Sequence, residues 1–277
     1  MKKPIKRALV IHSLCSVGKA SLTNIIPIMS IKGIEVCPIP SVILSTHTGG
    51  FSNIAKLDSK DFIERGINSL FSNEINFDLF FIGYLGEVKK IEEVINFLKE
   101  RKNGLVILDT IFGDNGNLYN GFTFEYVKKI RELLKFSYVI TPNFTEALYL
   151  TGREGQYNNS FSYDDIKDIA YDLRKLGAKN IVITSVPCKD NLIGIAVLDE
   201  NGFNIIKHKK LEKSYPGTGD IFTAVMSAEI LSGNLIEDSV KKGSDFVKGC
   251  IEYSMKYDYS TKEGVLLEKQ LYKLIEK

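Results

Sequence analysis

The chain has no Cys-x-x-Cys pair, and its four cysteines, Cys15, Cys37, Cys188 and Cys250, stand far apart. That spacing fits reduced thiols in a cytoplasmic protein better than a disulfide framework or a zinc site. With three histidines in 277 residues, a catalytic triad has little support, and a lone histidine is more often structural than catalytic. No apolar stretch is long enough to span a bilayer, so no membrane partner is expected. The basic opening, Met1 to Arg7, looks like the start of a signal peptide. The apolar run after it, Ala8 to Ile11, stops at His12 and is too short for one, so it reads as a first buried strand. Charge of one sign is also missing. Thirty-six basic and 34 acidic residues leave a formal +2, scattered as on solvated helix faces, which argues against a nucleic-acid partner. No Pro/Gly/Ser linker and no repeat divides the sequence, so residues 1–277 are expected to form a single domain. No Gly-x-Gly-x-x-Gly follows the first strand, which weakens a dinucleotide site. Gly18-Lys19 lacks the glycine five residues earlier that a Walker A loop needs; Ser13 stands there.

What is present is an alternation. Apolar runs at Arg7–His12, Ile34–Pro38, Leu79–Tyr84, Leu105–Asp109, Tyr138–Thr141 and Asn180–Thr184 are rich in Val, Ile and Phe, as strands buried on both faces are. Between them, Ile91, Val94, Ile95 and Leu98, and Ile166, Ile169, Ala170 and Leu173, recur at helical spacing. Leu192–Leu198 and Phe203–His208, joined through Asp199-Glu200-Asn201-Gly202, read as a hairpin. Arg153–Tyr163, with Asn158-Asn159-Ser160, reads as a surface loop, and Ser260–Lys277 as a final helix. The pattern predicts an α/β fold, a three-layer α/β/α sandwich around a mostly parallel central sheet.

The most informative stretch is Tyr215-Pro216-Gly217-Thr218-Gly219-Asp220, which opens an apolar helix. Helix N-termini present unpaired N–H groups and a partial positive charge that attract phosphate. Two glycines let the backbone turn and approach a ligand closely. An aspartate beside such an anion hole can take the proton of a hydroxyl as that hydroxyl attacks phosphorus. Helix capping by Asp220 is the plainer alternative.

Other strand ends carry further candidates. Asp109 closes one strand, and Asp114 follows in Asp114-Asn115-Gly116; together they suit a charged ligand or its Mg²⁺, although the tripeptide is equally a turn. In Thr141-Pro142-Asn143-Phe144-Thr145-Glu146, Pro142 stops a strand and Glu146 enters the next helix. There Glu146 either favours the helix dipole or holds a metal-bound water. The polar cluster His12-Ser13 and the run Ser45-Thr46-His47-Thr48-Gly49-Gly50 suit recognition of a small polar ring.

Taken in order, these pieces resemble the pyridoxal/pyridoxamine kinase family of the ribokinase-like superfamily, from about Ala8 to Cys250. The resemblance rests on His12-Ser13 with Gly18, Ser45–Gly50, Gly83-Tyr84-Leu85-Gly86, Asp109–Tyr119, Thr141–Ala147, Val182-Ile183-Thr184-Ser185 and Gly217–Asp220. It implies a ribokinase-like fold and ATP-dependent phosphorylation of the hydroxymethyl group of a B6 vitamer. Asp220 would be the base, and the amides of Gly217, Thr218 and Gly219 would bind the transferring phosphoryl group. Ser13, His47, Thr48 and Tyr84 would line the pyridine pocket. Asp109, Asp114, Asn143, Thr184 and Ser185 would lie around ATP, and Asp114 and Glu146 around Mg²⁺. It also implies a monovalent cation such as K⁺ nearby, and a homodimer. The chain departs from the family at Asp109-Thr110, where Asp-Pro is common, and no lysine can be placed as the phosphate clamp. The same features resemble hydroxymethylpyrimidine kinases of thiamine synthesis, and a non-catalytic B6-vitamer binder is a rival of another class. A sugar kinase fits less well, for want of an early Gly-Gly-Asn.

Overall fold

The computed structural model describes residues 4–101, 103–158 and 160–275. Met1, Lys2 and Lys3 of the basic opening, Asn159 of the expected loop and the last two residues of the expected final helix lie outside them. The chain forms two compact units, Met1–Leu85 with Leu211–Lys277, and Gly86–Lys210.

The first unit begins with β1 (Arg7–Val17), α1 (Leu22–Ile31), β2 (Glu35–Thr46), β3 (Lys56–Asp58), α2 (Phe62–Ser72) and β4 (Leu79–Ile82). Ala8, Leu9, Val10 and Ile11 are sealed from solvent because β1 is central, pairing in parallel with β2 on one side and β4 on the other. β2 runs on past Pro38, where the sequence suggested an end, through Pro40 to Thr46. β3 covers only Val42–Leu44 of its far side, so both prolines fall where β2 is an edge and a missing donor is tolerated. The β1–β2 register slips between His12 and Leu14. Such a bulge re-aims side chains locally, here at the His12-Ser13 motif.

The second unit follows with α3 (Val88–Glu100), β5 (Leu105–Leu108), the small hairpin β6 (Gly113–Asp114) and β7 (Asn117–Leu118), α4 (Phe124–Leu134), β8 (Val139–Ile140), α5 (Phe144–Leu150), α6 (Tyr163–Lys175), β9 (Asn180–Pro187), β10 (Leu192–Asp199) and β11 (Gly202–Lys209). β5, β8 and β9 are parallel, and β10 and β11 add the expected antiparallel hairpin. The stripes Ile91, Val94, Ile95, Leu98 and Ile166, Ile169, Ala170, Leu173 are buried as their spacing predicted. The expected α/β fold with a mostly parallel sheet is what forms.

The chain then returns to the first unit with α7 (Thr218–Leu231) and α8 (Ile236–Ser254). α7 packs against α1 and α8 and is buried from Asp220 to Leu231. The expected final helix is a correction: in its place stand three 3₁₀ turns, Thr261–Glu263, Leu267–Lys269 and Leu271–Leu274. Gly264 interrupts any continuous helix, with φ +78° and a Cβ position 2.6 Å from the Gly18 carbonyl oxygen. The tail instead buries Val265, Leu267 and Leu274 singly. Among the described residues no helix is long and apolar enough to cross a membrane.

Candidate active site

The first unit gathers the acidic and glycine-rich motif. Gly217 caps α7 with φ +77°, and no side chain caps the helix. The first intrahelical bond of the turn is Ile221 N–H to the Gly217 carbonyl. The amides of Thr218, Gly219 and Asp220 therefore precede the helical ladder, the kind of position at which helix N-termini attract anions. Thr218 turns its hydroxyl back to the Tyr215 carbonyl, 3.0 Å away. Asp220 does not cap the helix. Its Oδ2 accepts the Ser21 backbone N–H at 2.6 Å, and Oδ1 lies 3.1 Å from His12 Nε2. The capping alternative for Asp220 is thus replaced by contacts reaching back about 200 residues, to the β1–α1 loop.

The two glycines differ. A Cβ on Gly217 would fall 1.9 Å from the Lys19 carbonyl oxygen, whereas one on Gly219, which is exposed, meets nothing within 4 Å. Gly217 is therefore required by the fold itself. Gly217→Ala is expected to destabilise the protein by about 2–4 kcal/mol, from a left-handed backbone and an overpacked contact. Urea unfolding of the variant beside Gly219→Ala, which should unfold like wild type, checks this.

The proposed pocket residues of the first unit are spent on internal contacts to different degrees. The Ser13 hydroxyl lies 2.6 Å from that of Ser21. His47 Nδ1 accepts the Gly49 N–H at 3.0 Å, which leaves Nε2 to donate to the Lys262 carbonyl at 2.6 Å. The His47 ring also covers Gly18, where a Cβ would meet it at 2.1 Å, so it ties the 47–50 loop to the tail. Tyr84 is half-buried against Cys15, Val42 and Leu44, and Thr48 is exposed.

The second unit gathers the other group. Asn143 caps α5 and forms a capping box with Glu146. Its side-chain amide also donates to the Gly113 carbonyl at 2.7 Å. Glu146 Oε1 accepts the N–H groups of Phe112 and Gly113 at 2.8 and 3.3 Å. Oε2 accepts the Thr110 hydroxyl at 2.6 Å and the Asn143 N–H at 3.0 Å. Burial raises the Glu146 carboxyl to about 7 against the pull of these four donors. Asp114-Asn115-Gly116 is the turn of the β6–β7 hairpin, with Asn115 and Gly116 at φ +51° and +81°. The Asp114 carboxylate accepts the Asn115 N–H at 2.8 Å, and burial raises it above its ordinary value. Asp109 is buried just after β5. Thr184 bridges to Asn143 in parallel fashion, and Ser185 follows with φ +57°. Among the described residues no three His, Cys, Asp or Glu side chains gather as a metal cluster.

Two participants escaped the sequence reading. His12 was visible only as part of a polar motif, and nothing local announces its contact with Asp220. Ser21 contributes a backbone N–H, which any residue but proline would supply.

The phosphomethylpyrimidine kinase family matches this chain over residues 28–265. A structure from Bacteroides thetaiotaomicron, of a provisionally assigned phosphomethylpyrimidine kinase in a crystal form with pyridoxal, is 33% identical. It superposes with a TM-score of 0.92 over 98% of this chain and 96% of that one. The pyridoxal kinase of Lactobacillus plantarum is 28% identical, with a TM-score of 0.90 over 98% and 96% of the two chains. The hydroxymethylpyrimidine/phosphomethylpyrimidine kinase of Haemophilus influenzae is 26% identical over 261 residues, 91% of this chain and 93% of its own length. An uncapped helix N-terminus beside a buried carboxylate, a ribokinase-like α/β fold and these likenesses agree: the chain belongs to the phosphomethylpyrimidine kinase family.

Proposed function

We propose that this protein is an ATP-dependent kinase that phosphorylates the hydroxymethyl group of a B6 vitamer. The observation that carries the reading is the Asp220 carboxylate, turned away from capping and set at the bare N-terminus of α7. Asp220 accepts the proton of the substrate hydroxyl as its oxygen attacks the γ-phosphorus of ATP and the bond to ADP breaks. The amides of Gly217, Thr218 and Gly219 receive the negative charge on the phosphoryl oxygens. Phosphoryl transfer has a loose transition state, so positioning and charge stabilisation matter more than base strength. Ser13, His47, Thr48 and Tyr84 shape the ring pocket, His47 through the loop it holds rather than through a free ring nitrogen.

Asp109, Asp114, Asn143, Thr184 and Ser185 hold ATP in this reading. Mg²⁺ usually takes one or two carboxylates plus water and phosphate oxygens. Asp114 fits as such a ligand, since among the described residues its two oxygens accept only from the adjacent, exposed Asn115. Glu146, with both oxygens already accepting protein donors, acts through the loop it orders. When bound, Mg²⁺ neutralises phosphate charge. We read the chain as one kinase domain working as a homodimer.

The B6 reading is supported by the Bacteroides relative with pyridoxal. A second reading, a hydroxymethylpyrimidine or hydroxymethylpyrimidine-phosphate kinase, is favoured by the family match and the Haemophilus relative. Phosphorylation of pyridoxal, pyridoxamine, pyridoxine, hydroxymethylpyrimidine and its phosphate by ATP and Mg²⁺ decides between them. Highest kcat/KM on a vitamer supports the first reading; preference for the pyrimidines overturns it in favour of the second; no turnover of any overturns both. Gly219→Val, whose side chain would project into the space a phosphate needs, is expected to raise the KM for ATP or lower kcat by about tenfold or more. Unchanged ATP kinetics would reject the α7 anion hole.

A further inference from the structure

The His12-Ser13 motif has a use that the reaction above does not absorb. The His12 imidazole is 1% exposed and held on three sides. The Ser13 N–H donates to Nδ1 at 2.9 Å, so the ring proton sits on Nε2. Phe81 stands edge-on to the ring at a centroid distance of 6.2 Å. Gly83 leaves the room the ring occupies, since a Cβ there would be 2.0 Å from His12 Cδ2. Nε2 finds no well-aligned hydrogen bond, yet it lies 3.1 Å from Asp220 Oδ1. A buried N–H is costly to leave without an acceptor, and the nearby carboxylate oxygen is the acceptor at hand. The other oxygen, Oδ2, is already fixed by the Ser21 N–H at 2.6 Å.

We propose that His12 is a positioning residue for phosphoryl transfer: its Nε2–H steadies Oδ1 of Asp220 while the Ser21 N–H steadies Oδ2. Together they set the carboxylate plane and leave one lone pair on each oxygen for the substrate hydroxyl. The bulge between His12 and Leu14 and the vacant Cβ space of Gly83 are then the backbone features that deliver the ring. This rests on Asp220 being the base. It adds that the base is oriented from β1, by a side chain that touches neither substrate nor phosphate. Misplacing a reacting group by about an ångström typically costs 10²-fold in rate.

Steady-state kinetics on the best alcohol of the substrate panel test it, with His12→Leu, His12→Asn, His12→Gln and Asp220→Asn beside wild type. Gln carries an amide N–H to the position of Nε2; Asn reaches only as far as Nδ1. Leu and Asn are expected to lose about 10–100-fold in kcat, with KM for the alcohol and for ATP nearly unchanged, and Gln to recover most of that loss. Gln and Asn differ by a methylene as well as in reach, so thermal melts accompany the kinetics: a merely structural histidine would lower kcat only in step with melting temperature, whereas here Asn should lose kcat at a temperature where it and Gln are both folded. Asn with wild-type kcat, or Gln falling as far as Asn, would overturn the proposal while an inactive Asp220→Asn left the base assignment standing. Active Asp220→Asn would instead overturn the base assignment and this proposal with it.

Discussion

Asp220→Asn is expected to lower kcat by about 10²–10⁴-fold, the range a general base contributes, while the protein stays folded. The substitution is nearly isosteric. Its amide oxygen can still accept the Ser21 N–H that Oδ2 accepts now; its N–H₂ group then meets the His12 Nε2–H, donor against donor, at a modest cost in melting temperature. What it cannot do is take a proton from an attacking hydroxyl. The α7 amides are backbone groups and remain in place, so ATP binding should change little. Loss confined to kcat is the signature of an interaction made in the transition state. Stopped-time phosphorylation assays, with a thermal melt to confirm folding, measure both. A variant with wild-type kcat would remove Asp220 from the chemistry and return the Gly217–Asp220 motif to being a helix start.

That motif shows how far the sequence could be read. Gly217-Thr218-Gly219-Asp220 announced a helix start, and the helix begins at Thr218. Local sequence could not say which glycine serves the fold and which leaves space. That depends on Lys19, whose carbonyl oxygen sits where a Gly217 Cβ would be. The strands were legible because their Val, Ile and Phe runs are buried on both faces. Their ends were less so: β2 continues through Pro38 and Pro40 because its position at an edge, a tertiary fact, makes the missing donors harmless. The tail read as a helix because helical spacing and 3₁₀ packing share apolar residues; what breaks it is the left-handed Gly264, φ +78°, and the position admits no Cβ because Gly18 and Lys19, nearly 250 positions away, pack against it. For His47, the sequence suggested recognition of a small polar ring; in the structure its two ring nitrogens meet Gly49 and Lys262 of the chain itself, partners that no local pattern announces. The contact of His12 with Asp220 is of the same long-range kind, and no spacing rule encodes it.

Glu146→Ala is expected to cost about 2–5 kcal/mol of stability, a fall of roughly 5–15 °C in melting temperature for a chain of this size. The carboxylate is the acceptor for the N–H groups of Phe112, Gly113 and Asn143 and for the Thr110 hydroxyl. Thr110 can turn to another acceptor, but the three amides are fixed by the backbone, and each buried donor left unpaired costs about 1–3 kcal/mol. Part of that loss is offset, because burial disfavours the ionised carboxyl, as its rise to about 7 records. The turn it pins is itself strained, with Ile111 at φ +33°. Glu146→Gln keeps one acceptor oxygen but sets an N–H₂ group against a donor, so it should melt between wild type and Glu146→Ala. The pair of variants also separates the two roles the sequence allowed. If Glu146 works by ordering residues 110–113, Gln should recover activity in step with stability, and raising Mg²⁺ should not help Ala. If it holds a metal-bound water, Gln should stay impaired at a temperature where it is folded, and the Mg²⁺ concentration for half-maximal activity should rise in both. A melting temperature for Glu146→Ala equal to that of wild type would reject the bracing role outright.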